Sequence, residues 1–408
     1  MKPKTSVNHI KSITKRPLKV KGFRAAGVSV GIKTTRTKDL ALIVSDLPAR
    51  VAGVFTTNRV KASSIDVDIV RTKTGRSKGV IINSGNANAC TGKEGIRATD
   101  KTLKAIEREL GLKSGEMLVS STGVIGVPLD VLKIERGIPK LVKALSTDGF
   151  TSAAEAIMTT DASMKTISGK VQIGDEVITI TAIAKGAGMI RPDMATMLAY
   201  FMTDANISAA ALRKALKEAV GGSFNRITVD GGMSTNDTAL IFANGAAGGE
   251  LIKPASLAYK KFSQLLNELS LRLAHMIVRD GEGATKFVEL MVKGAASATK
   301  AERAARALAE SILVKTALFG GDPNWGRIIA ELGSIDVSVN PEKTDIVIGG
   351  VKVFARGVDT GKELAAARVM KKRDVELMVD MKSGKGTYTL WTTDLSYGYV
   401  KLNSQYRT

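Results

Sequence analysis

The apolar and polar positions of this 408-residue chain switch repeatedly between a spacing typical of strands and one typical of helices. Apolar runs bounded by turn residues predict strands at Leu40 to Ser45, Gly79 to Ile82, Lys286 to Lys293, Ile335 to Val339, Asp345 to Phe354, Val375 to Met381 and Gly386 to Thr392. Helical spacing predicts helices at Gly95 to Leu110, Leu129 to Leu145, Ser208 to Val220, Pro254 to Arg279 and Lys300 to Phe319. The pattern therefore indicates a mixed α/β protein.

One predicted hairpin leads directly into the most informative segment of the chain. Val171 to Ala184 is a β-branched strand pair with a Gly-Asp-Glu turn, and a glycine-rich loop from Lys185 follows it. That loop is stopped by Pro192 and ends with Ala195 and Thr196 at the start of an apolar stretch. A single threonine thus stands directly behind a flexible loop.

This arrangement suits a chain that cuts itself. Attack of the Thr196 Oγ on the carbonyl of Ala195 gives an ester by an N-to-O acyl shift, and hydrolysis then leaves a new chain that begins at Thr196. The freed α-amine, with an ordinary pKa of about 7.7 to 8.0, is suited to act as the base for its own hydroxyl. The same residues also fit a plain glycine loop that enters a buried strand or helix, with the threonine hydroxyl bonded to a backbone carbonyl.

The cysteine and histidine counts restrict the chemistry. A single cysteine, Cys90, excludes an internal disulfide and a cysteine-based zinc site, and it points to a reducing, cytoplasmic compartment. The two histidines are His9, in a lysine-rich stretch, and His275, whose leucine-rich surroundings favour a packed position. An acyl-transfer enzyme with this sequence is therefore expected to work without an imidazole base, and we predict no metal and no cofactor.

The net charge of +21 raises the question of a nucleic-acid partner. Lysine and arginine are concentrated in the first 40 residues, and only 4% of the residues are aromatic, which leaves few platforms for stacking bases. A solvated basic surface explains most of the excess better. No apolar run is long enough to span a bilayer, so no membrane association is predicted.

Three parts of the chain are expected. Residues 1–17 form a polar basic leader, residues 18–285 a catalytic α/β unit that contains the 195/196 junction, and residues 286–408 a smaller α+β unit.

Two further loops contain residues that could take part in catalysis or substrate binding. Thr122 and Gly123 end a strand in a hydroxyl-rich turn that offers two donors to an oxyanion, and Glu282 is flanked by two glycines. Each loop also fits an ordinary turn.

Taken together, these segments resemble the ornithine acetyltransferase (glutamate N-acetyltransferase) family of arginine biosynthesis, from about Gly22 to Thr408. The motifs that carry the resemblance occur in one order: Asn83 to Gly92, Thr122 to Gly126, Met158 to Asp161, Lys185 to Leu198, Phe224 to Gly231, Ser234 to Thr238, Asp280 to Lys286, Asn324 to Arg327, and the tail from Thr392 to Thr408.

The resemblance implies self-cleavage between Ala195 and Thr196, with Thr196 as the nucleophile that carries an acetyl group from N2-acetylornithine to glutamate. It implies an oxyanion hole at Thr122 and Gly123. The substrate contacts that it implies are Thr159, Lys185, Thr196, Glu282, Asn403 and Thr408. The implied fold is a layered αββα sandwich shared by an alpha chain (1–195) and a beta chain (196–408), with the smaller C-terminal unit, in a heterotetramer of two of each.

Three positions depart from the family pattern. Asp193 stands where asparagine is usual, Gly232 where aspartate is frequent, and Gly398 where an acidic residue is common. The added charge at Asp193, three residues before Thr196, is expected to slow self-processing or to shift the pKa of the amine. The sequence leaves open whether acetyl-CoA is also a donor. A self-cleaving aminopeptidase or amidase and a basic nucleic-acid-binding protein remain as alternatives.

Overall fold

The structure, a computed structural model, describes residues 9–191 and 197–405. Within these residues the first sheet contains the strands β1 (Ile10–Thr14), β2 (Phe23–Val28), β3 (Leu40–Phe55), β4 (Arg76–Asn86), β5 (Met117–Val124), β6 (Lys165–Ile173), β7 (Glu176–Lys185), β8 (Leu198–Thr203) and β9 (Thr238–Ala243). Their order is β1-β6-β7-β8-β9-β3-β4-β5, and β2 pairs with β3 beside this path.

The helices that accompany this sheet are α1 (Ser63–Thr72), α2 (Gly92–Glu109), α3 (Val131–Lys143), α4 (Phe150–Ala156), α5 (Ala209–Gly222) and α6 (Leu257–Arg279). The start of α5 is where the sequence predicts it, because the Ser208 hydroxyl accepts the N–H of Ala211 as an N-cap. Ser256 caps α6 in the same way.

The long strand β3 divides the first sheet into two halves. Its residues 40–44 pair with β4, and its residues 50–55 pair with β9. The pairing with β4 shifts register between residues 44 and 49, and residues 46–48 in this interval are exposed. Ile43 and Ile82 from one half share a buried core with Tyr200 and Phe242 from the other. The two halves therefore face each other across a common core.

Side chains that point the other way meet helices, because neighbouring strand residues face opposite sides of a sheet. Leu42 and Ile81 pack with residues of α2 and α3, whereas Phe201 and Ile241 pack with residues of α5 and α6. The layers thus run helix, sheet, sheet, helix. The predicted αββα sandwich is confirmed.

A second sheet follows in the chain, formed by β10 (Phe287–Ala295), β11 (Asp345–Ile348), β12 (Val351–Ala355), β13 (Val358–Asp359), β14 (Asp374–Asp380) and β15 (Gly386–Thr393). Its order is β13-β12-β11-β14-β10-β15. It shares an apolar core with α7 (Ala298–Glu310), α8 (Ile312–Gly320), α9 (Trp325–Ser334) and α10 (Glu363–Met370). The last described helix is α11 (Tyr397–Gln405), which contributes no buried residue.

Three predicted elements are wrong in detail. The single helix predicted at Lys300 to Phe319 is two helices, because Ser311 adopts an extended conformation between α7 and α8. The single strand predicted at Asp345 to Phe354 is the hairpin β11–β12, turned by two glycines with positive φ. Residues 335–339 form no strand, since Ile335 and Val339 pack against the second core without joining a ladder.

The stretch predicted as a leader contains β1, which pairs antiparallel with β6. The division at 17 and 285 itself stays a prediction. None of the helices within residues 9–191 and 197–405 is long and apolar enough to cross a membrane.

Candidate active site

The end of strand β5 supplies two hydrogen-bond donors. The buried Thr122 Oγ1 accepts a hydrogen bond from Lys185 Nζ at 3.2 Å, which leaves the hydroxyl proton free to point elsewhere. Gly123 has φ +133°, and a Cβ at this position would lie 2.3 Å from the carbonyl carbon of Gly85. Glycine is therefore required here, and its amide is unobstructed by a side chain.

The end of strand β7 supplies a buried cation. Lys185 is 3% exposed, and burial lowers its pKa, although Asp161 and other carboxylates nearby oppose this effect. Asp161 accepts the N–H of Gly186 at 2.7 Å and the N–H of Thr159 at 3.0 Å. Burial opposes ionisation of Asp161, but Lys185, Lys165 and the N–H of Thr159 outweigh it and lower its pKa to about 2.

A second buried cation, Lys165, binds the loops of the site together. Its Nζ lies 2.6 Å from Asp161 Oδ1 and 2.5 Å from Asp280 Oδ2. Asp280, directly after α6, also accepts the N–H of Ala162 and the hydroxyl of Ser163. The loop that carries Thr159 is thereby fixed to the loop that carries Glu282.

Glu282 places a carboxylate in the same region. Its own N–H donates to the carbonyl of Ala187 at 2.9 Å, and Asn403 Nδ2 donates to its Oε2 at 2.8 Å. A Cβ on Gly188 would lie 2.3 Å from this carboxyl group, so glycine is needed there as well. The helix α11 thus reaches the site through Asn403.

Asp230 holds the loop that leads toward residue 191. Its Oδ2 accepts the N–H of Met189 at 2.6 Å and its Oδ1 accepts the N–H of Ile190 at 2.9 Å. The hydroxyl of Tyr399 also donates to Asp230, at 3.2 Å, and burial together with this carboxylate raises the pKa of the phenol. Backbone donors aligned on one carboxylate restrict the loop strongly.

These groups surround a cavity of about 220 Å³. Six of the predicted site residues line it, namely Thr122, Gly123, Thr159, Lys185, Glu282 and Asn403. Sequence reasoning gave no role to other residues of its wall, which include Ile125, Met189, Asp230, Ser234, Asn236 and Tyr399. The predicted Ala195, Thr196 and Thr408 lie outside the described residues.

Sequence reasoning also gave no role to two aspartates that organise the loops of the site. Asp161 follows two threonines, and Asp230 precedes two glycines, so both stand at turn signals. That signal identifies a turn and gives no indication that several turns meet at one cavity.

Two of the departures from the family pattern fall near this cavity. Gly232 lines it and donates its N–H to Asp230 Oδ1 at 3.0 Å. Gly398 lies against Gly283, where a Cβ on Gly283 would be 2.7 Å from the Gly398 carbonyl carbon. The third, Asp193, lies outside the described residues.

The two residue types that sequence analysis set aside lie elsewhere. His275 is packed edge-on against Phe287 and Trp391, and burial lowers its pKa to about 4. Neither His275 nor Cys90 lines the cavity. In the part of the chain that the structure describes, no group of three His, Cys, Asp or Glu side chains is placed to hold a metal ion.

The cavity thus brings together a buried lysine, a carboxyl group, a threonine hydroxyl and a glycine amide, and a cleft with several convergent polar groups is the usual place for a small-molecule site. The chain belongs to the ArgJ family, whose model matches residues 24–408. This match confirms the family that the motifs indicated and the prediction of an acyltransferase enzyme.

Relatives cover almost the whole chain. An arginine biosynthesis bifunctional protein ArgJ of Geobacter sulfurreducens is 48% identical to this chain, and the match covers 96% of this chain and 100% of the length of that protein. A protein of the same name from Symbiobacterium thermophilum is 47% identical, and the match covers 95% of this chain and 97% of the length of that protein.

Solved structures are also similar to this chain. The arginine biosynthesis bifunctional protein argJ of Bacillus halodurans is 41% identical with a TM-score of 0.49, over 51% of this chain and 98% of that one. The ornithine acetyltransferase of Mycobacterium tuberculosis in complex with ornithine is 38% identical with a TM-score of 0.42. The match covers 44% of this chain and 97% of that chain.

Proposed function

We propose that this protein transfers the acetyl group of N2-acetylornithine to glutamate through an acetyl ester on Thr196. The observation that carries the proposal is the convergence of Thr122, Gly123, Lys185 and Glu282 on one cavity. They come from three distant parts of the chain, and each part supplies a different group that the reaction needs. The relatives' printed names, which place those proteins in arginine biosynthesis, support the same reaction class.

In the first half of the reaction, the Thr196 Oγ attacks the acetyl carbonyl and a C–O bond forms. The C–N bond of the donor then breaks, the hydroxyl proton ends on the departing amine, and ornithine leaves. The oxyanion of the intermediate accepts hydrogen bonds from the Thr122 hydroxyl and the Gly123 N–H, which is commonly the largest contribution to acyl transfer. Glutamate reverses these steps with its own amine and carries the acetyl group away.

The charges in the cavity match both substrates. Each is an α-amino acid derivative whose carboxylate needs a cation, and the Lys185 ammonium is the group that we assign to it. The Glu282 carboxylate receives the side-chain ammonium of the ornithine moiety. Thr159, Asn403 and Thr408 complete the substrate contacts.

Thr196 becomes an N-terminal residue by cleavage after Ala195, and its α-amine then serves as the base that the sequence otherwise lacks. The alpha chain of residues 1–195 and the beta chain of residues 196–408 stay together, two of each, in the cytoplasm. Both strands that flank the junction, β7 and β8, lie in the same sheet, so the cut need not separate the chains.

We also propose acetyl-CoA as a second donor. A cavity of about 410 Å³ adjoins the first and shares Thr159 with it. Its wall combines apolar residues such as Val127 and Leu129 with Lys33 and Lys133. The arm of coenzyme A alternates short aliphatic segments with amides and ends in phosphates, and this chemistry fits a wall of apolar residues and lysines. Replacing both lysines with glutamine should raise the KM for acetyl-CoA and leave that for N2-acetylornithine unchanged. Equal effects on both donors would remove this assignment.

Acetyl-labelled N2-acetylornithine tests the main proposal. The wild-type protein should pass the label to glutamate, Thr196→Ala should neither cut itself nor transfer, and Thr196→Ser should keep part of both. Release of the label as free acetate would favour the amidase alternative. Salt-sensitive binding of RNA by an uncut chain without acetyl transfer would favour the nucleic-acid alternative.

A further inference from the structure

Asn236 lines the cavity but has no donor left for a substrate. It is 5% exposed and lies two residues before β9. Its Nδ2 donates to the carbonyl of Ala87 at 2.7 Å and to the carbonyl of Ser121 at 2.8 Å, and its Oδ1 accepts the hydroxyl of Thr235. A side-chain amide has two N–H donors, so both are used. Asn236 therefore acts on the site through the residues that it holds.

The contacts of Asn236 close a ring of hydrogen bonds. Ser121 and Val124 both belong to β5, and the carbonyl of Val124 accepts the N–H of Ala87 at 2.9 Å. The carbonyl of Ala87 then binds the same Asn236 nitrogen that holds the carbonyl of Ser121. The two residues between Ser121 and Val124 are the proposed oxyanion donors, so the ring encloses both of them.

Asn236 reaches β5 from the facing half of the sheet. β9 pairs with β8 and with residues 50–55 of β3, whereas β5 pairs with β4. The backbone of Asn236 is itself held, since its N–H donates to Ser234 Oγ at 3.0 Å and its carbonyl accepts the hydroxyl of Thr238 at 3.0 Å. The amide thus ties the end of β5 to a fixed part of the opposite layer.

The ring controls the direction of the two donors. The carbonyl of Ser121 and the N–H of Thr122 lie in one peptide plane, so a bond to that carbonyl fixes the plane. Gly123 has φ +133°, and glycine adopts many backbone conformations. Without contacts on both sides, the N–H of Gly123 is free to turn away from the cavity. The ring supplies one contact before this pair of residues and one after it.

We infer that Asn236 is the positioning residue for the oxyanion hole, because its amide nitrogen closes the ring that orients Thr122 and Gly123. This inference rests on the proposed function, which assigns the oxyanion to these two residues. Asn236 itself contacts no reacting atom in this role. Oriented donors stabilise charge that develops in the transition state, so loss of the ring should slow the chemistry and leave substrate binding unchanged.

Asn236→Asp is the variant that tests this role. It keeps the shape of the side chain, but a carboxyl group carries at most one proton, so at least one of the two carbonyls loses its donor. The maximal rates of ornithine release and of acetyl transfer to glutamate should both fall about 10- to 100-fold, since a displacement of about 1 Å can cost about 100-fold in rate. The concentration of N2-acetylornithine at half the maximal rate should stay within about twofold of the wild-type value.

A donor with a thioacetyl group gives a more specific readout. Sulfur is a weak hydrogen-bond acceptor, so the corresponding intermediate gains little from the two donors. With N2-thioacetylornithine, the difference between the wild type and Asn236→Asp should therefore shrink to about twofold or less. A purely structural role would slow the reaction of both donors by the same factor.

Asn244→Asp is the matched control. Asn244 directly follows β9 at its other end, and its Nδ2 also donates twice, to the carbonyl of Lys21 at 2.9 Å and to Ser45 Oγ at 3.2 Å. It does not line the cavity. The control should change stability but neither maximal rate. Asn236→Ala covers the case in which the aspartate variant does not fold, and it should show the same pattern of rates.

All rates refer to the cut fraction of each protein, measured as intact mass. Wild-type maximal rates in either Asn236 variant would overturn the inference, and so would equal slowing with the thioacetyl donor or in Asn244→Asp. A folded variant that stays uncut would also overturn it, because the effect would then lie in the junction and not in the oxyanion hole. A wild-type protein that transfers no acetyl group would instead overturn the proposed function, so the two failures are distinguishable.

Discussion

Glu282→Gln separates the two halves of the proposed reaction. The substitution keeps the size of the side chain and removes its charge. Glu282 is 8% exposed, so in the role that we propose its carboxylate would meet the ornithine ammonium with little competing water. A hydrogen bond between such charged groups contributes about 1.5–3 kcal/mol, which corresponds to about a 10- to 150-fold loss in kcat/KM for N2-acetylornithine.

Glutamate should respond in the opposite direction. Its side chain is a carboxylate, which Glu282 repels, so the variant should accept acetyl groups onto glutamate as fast as the wild type or faster. Each half of a ping-pong reaction can be measured alone. Rapid-quench release of ornithine without glutamate reports the first half, and loss of label from the acetylated protein on addition of glutamate reports the second.

Glu218→Gln is the charge-matched control, since Glu218 accepts the Tyr259 hydroxyl and does not line the cavity. It should leave both halves unchanged. If Glu282→Gln slows both halves by the same factor, Glu282 does not recognise the ornithine ammonium, and the assignment of charges in the cavity is refuted.

The remaining predictions concern the network beneath the cavity. Lys165→Met should lower the free energy of unfolding by about 3–5 kcal/mol in urea titrations, because it leaves buried carboxylates without their cation. The lowered pKa of Asp161 contributes about 2 kcal/mol above pH 4, lost as pH falls toward 2, so Asp161→Asn should flatten this part of the stability profile. Gly188→Ala should displace Glu282 and raise the KM for N2-acetylornithine in steady-state assays, whereas Gly221→Ala, which has open space for a Cβ, should leave it unchanged.

The pattern of apolar and polar residues predicted most helices and strands, because their formation depends mainly on residues that are close together in the sequence. The hairpin β6–β7 and the capped helix α5 follow directly from a turn and a serine. The break at Ser311 was missed because apolar spacing continues across it, and only packing of α8 on the second core requires the change of direction.

The site itself depends on contacts between distant residues, which periodicity cannot indicate. Thr122 is 63 residues from the lysine that binds its hydroxyl. The motifs of the family identified both residues without that geometry. Neither the motifs nor the pattern assigned a role to Asp161 or Asp230, because an aspartate in a turn has the same sequence signature whether it organises a loop or an active site.

The most direct measurement of the central claim is the intact mass of the purified protein after incubation with N2-acetylornithine and no glutamate. The account predicts two separate polypeptide masses, because the chain is cut between residues 195 and 196. The chain that begins at Thr196 should carry one acetyl group, and its fragment masses should place that group on Thr196. An unbroken 43.1 kDa chain that still passes acetyl groups to glutamate would contradict it.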